Sequence, residues 1–554
     1  MASMIPFADD SEQQELVDEV QDEKQVKNLD EFITLGWYCT IVLFAGEFMT
    51  LTSVSCMVYM VYAGISPAVI SCGSFQFNSS SEACEELLDL RKTTGCIPNL
   101  EYQFKSVNVE FDLLCDDSKL VKNSISVQMF GVLVGALISG QLSDRYGRKS
   151  VLIGCLLGVG LFSLGTAVSM TLIQFTVLRA IVGVFTGGLS SVQGVFLIEN
   201  IPKEHRMWIN AVITWSPNFI IYPVIAFYCH DWRRLAFFSS FICLISIINL
   251  CFLYESPRWL IHRGRISDAR RILVAIRKIN RKTCEIEAGE IESMLRHEQD
   301  IFNAKLKKNK HYTYYHLVCT WKYIRWTVTV CSGLFITSLV NYSLLFNMEK
   351  LSGSLYWNNT IFGIIRWGVN ILVGMSDYFF HFVGRKLINF LAISFIIGAL
   401  AIICGLYIGG ITFSMIFFEV YLIIRILESF KTINIQTEKA WIIRYCTIGV
   451  TSMTSQLYVA KFMIANELFP TAVRNIAVSV ISVSSRFGTI IAPQLFYLAD
   501  TLPVLPYLVL TLLSIVDCIC FQCLLPETKG TNLENHLPPK KQRFFYRERN
   551  SIGL

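Results

Sequence analysis

The chain has 554 residues, of which 53% are hydrophobic and only 16% charged, with a formal net charge of +5. A soluble globule carries about a quarter charged residues, so a mean hydropathy of +0.47 excludes that class and indicates a polytopic membrane protein. The excess positive charge lies in the segments between apolar runs, where it orients membrane spans; it is no signal for nucleic acid.

Residues 1–31 are polar and acidic and are expected to form a cytoplasmic tail. The first apolar run lacks the compact basic flank and cleavage site of a signal peptide, so it reads as a retained anchor. Twelve runs have the length of a bilayer-spanning helix, about 20 residues. They lie near 34–60, 124–142, 151–170, 172–197, 208–229, 233–254, 324–346, 358–379, 387–409, 446–466, 476–498 and 503–525. Six fall in a first half, 32–254, and six in a second, 324–525.

The loop 61–123, between spans 1 and 2, is expected outside. It holds Cys72, Cys84, Cys96 and Cys115. Four cysteines in an oxidising compartment imply two disulfides, with three possible connectivities; unpaired thiols are the alternative. Asn78 in "NSS" is an N-glycosylation sequon. The linker 255–323 is rich in Lys and Arg, including Arg270, Arg271, Arg277 and Lys278, and should be cytoplasmic. Within it, 266–279 places apolar residues at helical spacing opposite arginines and reads as an amphipathic helix. The tail 526–554 is also expected inside, so both termini are cytoplasmic.

Three patterns occur twice, six spans apart. "ENIPKEHR" (199–206) returns as "ELFPTAVR" (467–474), "SDRYGRK" (143–149) as "SDYFFHFVGRK" (376–386), and "ESPRW" (255–259) as "PETKG" (526–530). A duplicated six-helix unit is an architecture of transporters that bind substrate between their halves. The repeated charges, Asp144, Arg145, Arg148, Glu199, Arg206, Glu255, Arg258, Glu467 and Arg474, lie at cytoplasmic helix ends. They suit ion pairs, such as Asp144 with Arg148, Glu199 with Arg206 and Glu467 with Arg474, that hold the cytoplasmic side shut and break when it opens. Loop anchoring is the alternative.

These motifs resemble the major facilitator superfamily. "GQLSDRYGRKSVL" (140–152) looks like its loop between helices 2 and 3, and "VNVEFDLLC" (107–115), "AFYCHDWRRL" (226–235) and "ANELFPTAVRN" (465–475) are similar to the organic cation, organic anion and carnitine transporter family within it. The resemblance spans nearly the whole chain. It implies a polyspecific secondary carrier of small organic ions in the plasma membrane, working by alternating access. Residues 414–443 depart from the family pattern. A thirteenth span there would invert spans 10–12, so the segment is expected to lie at the outer membrane surface unless it reflects an error in the gene prediction.

Ionisable residues inside spans are functional candidates. They are Glu47, Arg179, Arg366, Lys461, Arg486 and Asp517. The resemblance implies that Arg486, in "SSRFGTIIAP" (484–493), stands where cation carriers of the family have an aspartate and anion and carnitine carriers an arginine. A guanidinium there offers a forked grip on a carboxylate. Arg366 replaces an acidic residue of relatives, and Asn370 sits where some anion carriers have a lysine. Tyr342 matches a substrate-contacting tyrosine. Phe227 and Trp215 are further aromatic candidates. The alternative is that the arginines neutralise Glu47 or Asp517. Glu47 can instead bind a cationic substrate or a coupling proton. Arg179 is a second coupling candidate, with the glycines after it permitting close helix packing. Lys461 is expected to snorkel.

Organic anions or zwitterions are thus favoured as substrates. The alternatives are an organic cation carrier and, in another class, a non-transporting sensor on a carrier fold. The partners implied are the substrate ion, the bilayer, and a coupling sodium, proton or counter-anion. No nucleotide-binding loop, metal-ligand cluster or nucleophile motif is present in the sequence, so no cofactor, metal or enzymatic activity is expected.

Overall fold

The computed structural model describes residues 29–77, 80–202, 215–281, 289–299, 317–380, 384–409, 435–469 and 471–528. Its frame is twelve long helices. The first half has α1 (Trp37–Ala63), α2 (Ser118–Tyr146), α3 (Arg148–Ala167), α4 (Leu172–Asn200), α5 (Trp215–Cys229) and α6 (Trp232–Cys251). The second has α7 (Trp321–Phe346), α8 (Leu355–Phe379), α9 (Arg385–Gly409), α10 (Ile435–Leu468), α11 (Thr471–Leu495) and α12 (Leu505–Leu524). Residues 435–443 of the unusual 414–443 segment are the first turns of α10; the rest of it up to 434 lies outside the described residues.

Among the described residues nine helices are long and apolar enough to cross a membrane by themselves. The three others are α5, described over 15 residues only, and α8 and α10. These two are the polar ones, carrying Asn358, Asn359, Arg366 and Asn370, and Thr451, Thr454, Ser455, Gln456 and Lys461. They pack against each other. A helix with such residues crosses a bilayer only if they face protein or a cavity.

The halves repeat one packing scheme. α1 packs on α4, α5 and α6, and α7 on α10, α11 and α12; α3 packs on α4 and α6, and α9 on α10 and α12. Between the halves the main contacts are α2 with α11 and α5 with α8, two pairs that a pseudo-two-fold axis exchanges. The α2–α4 contact is the closest. A Cβ on Gly135 would strike the Val184 backbone, and one on Gly187 the Val132 carbonyl, so glycine is what lets these backbones touch.

The loop after α1 folds as a small unit. Strands β1 (Ala68–Cys72), β2 (Phe75–Gln76) and β3 (Pro98–Glu101) form an antiparallel sheet in the order β2-β1-β3, beside the helix Ser80–Thr94. Disulfides join Cys72 to Cys96 and Cys84 to Cys115, which selects one of the three connectivities. The sequon residue Asn78 lies outside the described residues. In the linker, the helix Ile266–Ile279 has the expected bounds. Its apolar face packs through Ala269 and Leu273 with Phe32, Trp259, Ile291 and Met294, and through Ile276 with the core cluster of the first half that includes Tyr38 and Leu253, so protein rather than lipid occupies it.

Candidate transport site and its flanking charge clusters

Glu47 of α1 and Arg366 of α8 stand on opposite halves, on either side of two consecutive residues of α5. Asn218 Nδ2 donates to Glu47 Oε1 at 2.7 Å. The next residue, Phe219, lies under the Arg366 guanidinium at 5.2 Å from the ring centre, with Phe362 on the same guanidinium at 5.7 Å. Among the described residues, Glu47 Oε2 and Arg366 Nε are buried with no hydrogen-bond partner. Buried charged groups are normally paired because desolvation is costly. Each of these keeps a free valence.

Arg486 of α11 is half-buried and makes no ion pair among the described residues. The carboxylates named above as its possible neutralisers are engaged elsewhere, Glu47 with Asn218 and Asp517 with Lys461. Beside Arg486 runs a hydroxyl chain in which Tyr458 donates to Ser338 Oγ at 2.7 Å and Ser338 meets Ser485 Oγ at 2.6 Å. Tyr342 and Tyr458 are both within electrostatic reach of Arg366, and Tyr458 is also within reach of Arg486. The structure therefore gathers Arg366, Tyr342, Tyr458 and Arg486 on the second half, opposite Glu47. Sequence reading missed Asn218, Tyr458 and Ser338. A lone asparagine in the apolar "WSPNF" was the available signal for the first.

Other candidates sit elsewhere. Asn370 is occupied, donating to Ser216 Oγ at 2.9 Å and accepting from Ser455 at 2.7 Å and Gln456 at 2.6 Å; it ties α5, α8 and α10 rather than presenting a free amide. Phe227 lies near the outer end of α5, 49% exposed and in edge contact with Tyr356, away from the Glu47–Arg366 pair. Trp215 begins the described part of α5 and is half-buried. Arg179 is buried, with Nε donating to Gln128 at 3.1 Å, Nη2 to the Cys56 carbonyl at 2.7 Å, and Tyr59 beneath it at 4.2 Å. It pins α1, α2 and α4 together, and no coupling group faces it among these contacts. Lys461 does not snorkel. It is fully buried and donates to Asp517 Oδ2 at 2.5 Å, the Gly333 carbonyl at 2.8 Å and Thr337 Oγ1 at 2.8 Å.

At the helix ends that carry the repeated motifs the charges form two matching clusters, each within one half. Arg148 bonds Asp144 at 2.5 Å and Ser143 at 2.8 Å and approaches Glu199 at 3.4 Å. Arg385 bonds Asp377 at 2.8 Å and approaches Glu467 at 3.7 Å. Glu255 accepts from the backbone of Arg148 and Lys149, and Glu527 from that of Arg385 and Lys386. Gly147 and Gly384 complete the match, since a Cβ on either would collide with that glutamate. Arg258 donates to the Glu199 carbonyl at 3.3 Å, while Arg145 lies over the Tyr146 ring at 5.5 Å. The expected Glu467–Arg474 pair does not form, as Glu467 faces Arg385 and Arg474 donates to the Phe469 carbonyl. Arg206 lies outside the described residues. The clusters thus brace helices within a half, and the expected Asp144–Arg148 pair is among them.

Further contacts that cross between halves lie at the end that carries the disulfide-bonded loop. Lys122 of α2 bonds Glu349 at 2.9 Å and Asn347 at 3.2 Å. Gln103 accepts from Leu355 N at 3.0 Å and its carbonyl from Tyr356 at 3.1 Å. A buried apolar cluster there draws on both halves, including Tyr62, Tyr222, Phe346 and Phe362. The "VNVEF" motif anchors this end. Asn108 donates to the Gly64 and Ile65 carbonyls, and Glu110 accepts from Arg233 at 2.6 Å and Trp232 at 2.9 Å. Burial alone would raise the Glu110 carboxyl, but the hydrogen bonds from Arg233 and Trp232 and the charges of Arg233 and Lys105 hold it below the usual carboxylate range.

Two six-helix halves with a polar site between them define a membrane transporter of the major facilitator fold. The family model described as "Sugar (and other) transporter" matches residues 48–536, and the chain belongs to that family. Among curated relatives, mouse "Solute carrier family 22 member 4" is 28% identical over 81% of this chain and 75% of its own length. Human "Organic cation/carnitine transporter 2" is 27% identical over 79% and 73%, and a Drosophila melanogaster "Organic cation transporter protein" 29% identical over 76% and 72%. The inward open xylose transporter XylE from E. coli shares the fold at a TM-score of 0.59 and 15% identity, over 90% of this chain and 98% of that one.

Proposed function

We propose that this protein is a secondary carrier of small organic ions in the plasma membrane, with cytoplasmic termini, and that its preferred substrates are zwitterions bearing a cationic head and a carboxylate. The observation that carries this is the pair of free valences at Glu47 Oε2 and Arg366 Nε, buried on opposite halves on either side of Asn218–Phe219. Glu47 takes the cationic end. Arg366, with Arg486 and the hydroxyls of Tyr342 and Tyr458, takes the carboxylate. A ligand held by both halves is bound only while they face each other across it, as alternating access about a central site requires. The names of the relatives, which join organic cations and carnitine, support the same dipolar class. A free carboxylate also supports the second reading, an organic cation carrier anchored on Glu47 alone.

Uptake of three labelled probes by expressing cells tests this: carnitine, a quaternary ammonium ion and a monocarboxylate. Loss of a buried charged contact costs about 2–5 kcal/mol, or roughly tenfold and more in affinity. Glu47→Gln should cut cation and carnitine uptake by that much and spare the monocarboxylate. Arg366→Gln should cut monocarboxylate and carnitine uptake and spare the cation. Unchanged probe ratios in both variants, at equal surface abundance, would defeat the zwitterion reading.

A further inference from the structure

Lys461 and Gln193 hold the same place in the two halves. Each lies six residues before its motif glutamate, Glu467 or Glu199. Lys461 Nζ donates to the Gly333 carbonyl and Thr337 Oγ1, both at 2.8 Å. Gln193 Nε2 donates to the Gly46 carbonyl at 3.2 Å and Thr50 Oγ1 at 2.5 Å. Even the threonines match, Thr337 donating to the Gly333 carbonyl and Thr50 to that of Gly46. The first half fills this site with a neutral amide, and α6 carries no acidic residue. The second half fills it with an ion pair, Lys461 with Asp517 of α12, both 2% exposed or less.

The neutral version shows that the architecture does not need the charges. An ion pair in a membrane interior is costly to bury and is no better for packing than a neutral substitute. Lys461 uses all three donors, so its ammonium is fully hydrogen-bonded. Asp517 is not satisfied. Its Oδ1 is buried with no partner among the described residues and faces the open side of Gly333, where a Cβ would stand 2.7 Å from it. Within electrostatic reach of the pair the one other titratable side chain among the described residues is Cys518; α7 contributes only Gly333 and Thr337, and Phe521 of α12 covers the ammonium at 5.8 Å.

We propose that Asp517 Oδ1 is a proton-binding site and that the Lys461–Asp517 pair couples a proton to the movement of α10 against α12. A proton from solvent adds to Oδ1 and neutralises the carboxylate. Lys461 keeps its own proton and its bonds to Gly333 and Thr337. The attraction that ties α10 to α12 is lost, and it returns when the proton leaves on the other side. Since the site is sealed in this conformation, exchange with solvent requires α7, α10 and α12 to shift, which is what prevents a leak.

The inference concerns how the proposed carrier is driven, so its first test is independent of any substrate. Infrared titration of the purified full chain in lipid nanodiscs should show a protonated-carboxyl band that rises on acidification, vanishes in Asp517→Asn and persists in Glu47→Gln. Absence of a band assigned to Asp517 overturns the proposal even if transport is found. The second test uses the neutral chemistry of the first half, Lys461→Gln with Asp517→Asn. At equal surface abundance this double variant should keep carnitine exchange and lose at least about tenfold of the uptake stimulated by an inward proton gradient. Retained stimulation overturns the proposal. If wild-type protein moves no probe, the substrate reading fails and the infrared result alone decides this one.

Discussion

Lys122 Nζ lies 2.9 Å from Glu349 Oε1, and each side chain is only 11% exposed. This ion pair joins α2 of one half to the segment after α7 of the other. Glu349 Oε2 also accepts from Ser66 N at 3.0 Å, so one carboxylate ties three segments together at the outer mouth. Breaking a buried pair by removing one partner leaves an uncompensated charge and costs about 3–5 kcal/mol. Glu349→Gln should therefore shift the carrier toward its outward-open state. A cysteine placed at Ser126, one turn deeper on α2 and bonded to the Ile490 carbonyl, should then react faster with an impermeant maleimide added outside. The swapped pair Lys122→Glu with Glu349→Lys should slow it again. Equal labelling in all three would mean that the pair does not hold the mouth.

The matched arginines make a second prediction. Arg148 and Arg385 each brace the helix end that carries Glu199 or Glu467 within its own half. Asp144 is largely exposed while Asp377 is mostly buried, at 70% and 15% of the side chain. Exposed pairs contribute about 0–1 kcal/mol, whereas removing one partner of a buried pair leaves an uncompensated charge and costs more. Asp377→Asn should lower uptake and surface abundance more than Asp144→Asn, although sequence reading placed the weight on Asp144. Quantified surface labelling alongside uptake checks this, and an equal or reversed order would show that exposure does not rank the two clusters.

Glu110 supplies a pH dependence. Its carboxyl is held low in the folded protein, so its contribution to stability is present above the ordinary glutamate value of about 4.3 and is lost as pH falls through the lower folded value. The melting-temperature difference between wild type and Glu110→Gln should be constant from neutral pH down to about pH 5 and shrink below that. A difference that grows on acidification would contradict the sign.

Much of this was legible in the sequence for identifiable reasons. Hydropathy marks nine of the twelve helices among the described residues because a bilayer demands apolar surface, and the repeated motifs disclose the duplication because both halves solve the same problem at matching helix ends. The glycines after Arg179 pack as expected, Gly183 and Gly187 meeting the Gln128 and Val132 carbonyls. Pairings were not legible. Lys461 and Asp517 are 56 residues apart in the chain, and whether they meet depends on helix rotation, which hydropathy does not encode. The same holds for Asn218 with Glu47. The disulfide partners were open because cysteine spacing does not fix connectivity. Phe227 misled because an aromatic on a membrane helix carries no mark of whether it faces cavity, lipid or water.

The last prediction concerns Arg486. A carboxylate entering the membrane interior sheds its water, and a fixed guanidinium offsets that loss with two parallel hydrogen bonds. Arg486 has no ion-pair partner among the described residues, while both carboxylates that would neutralise it are bonded to other groups. We propose that it is held for a ligand rather than for packing. Arg486→Ala should lower uptake of carnitine and of a monocarboxylate at low concentration by at least about tenfold, the equivalent of 1.4 kcal/mol, and change quaternary ammonium uptake far less. Arg486→Lys should recover only part, since an ammonium keeps the charge without the fork. Arg486→Asp should abolish uptake of the monocarboxylate. Surface protein and the anion-to-cation uptake ratio must be read together. If all three variants reach the surface poorly and leave that ratio unchanged in the protein that arrives, Arg486 is a structural residue, and the carboxylate end of the substrate rests on Arg366 alone.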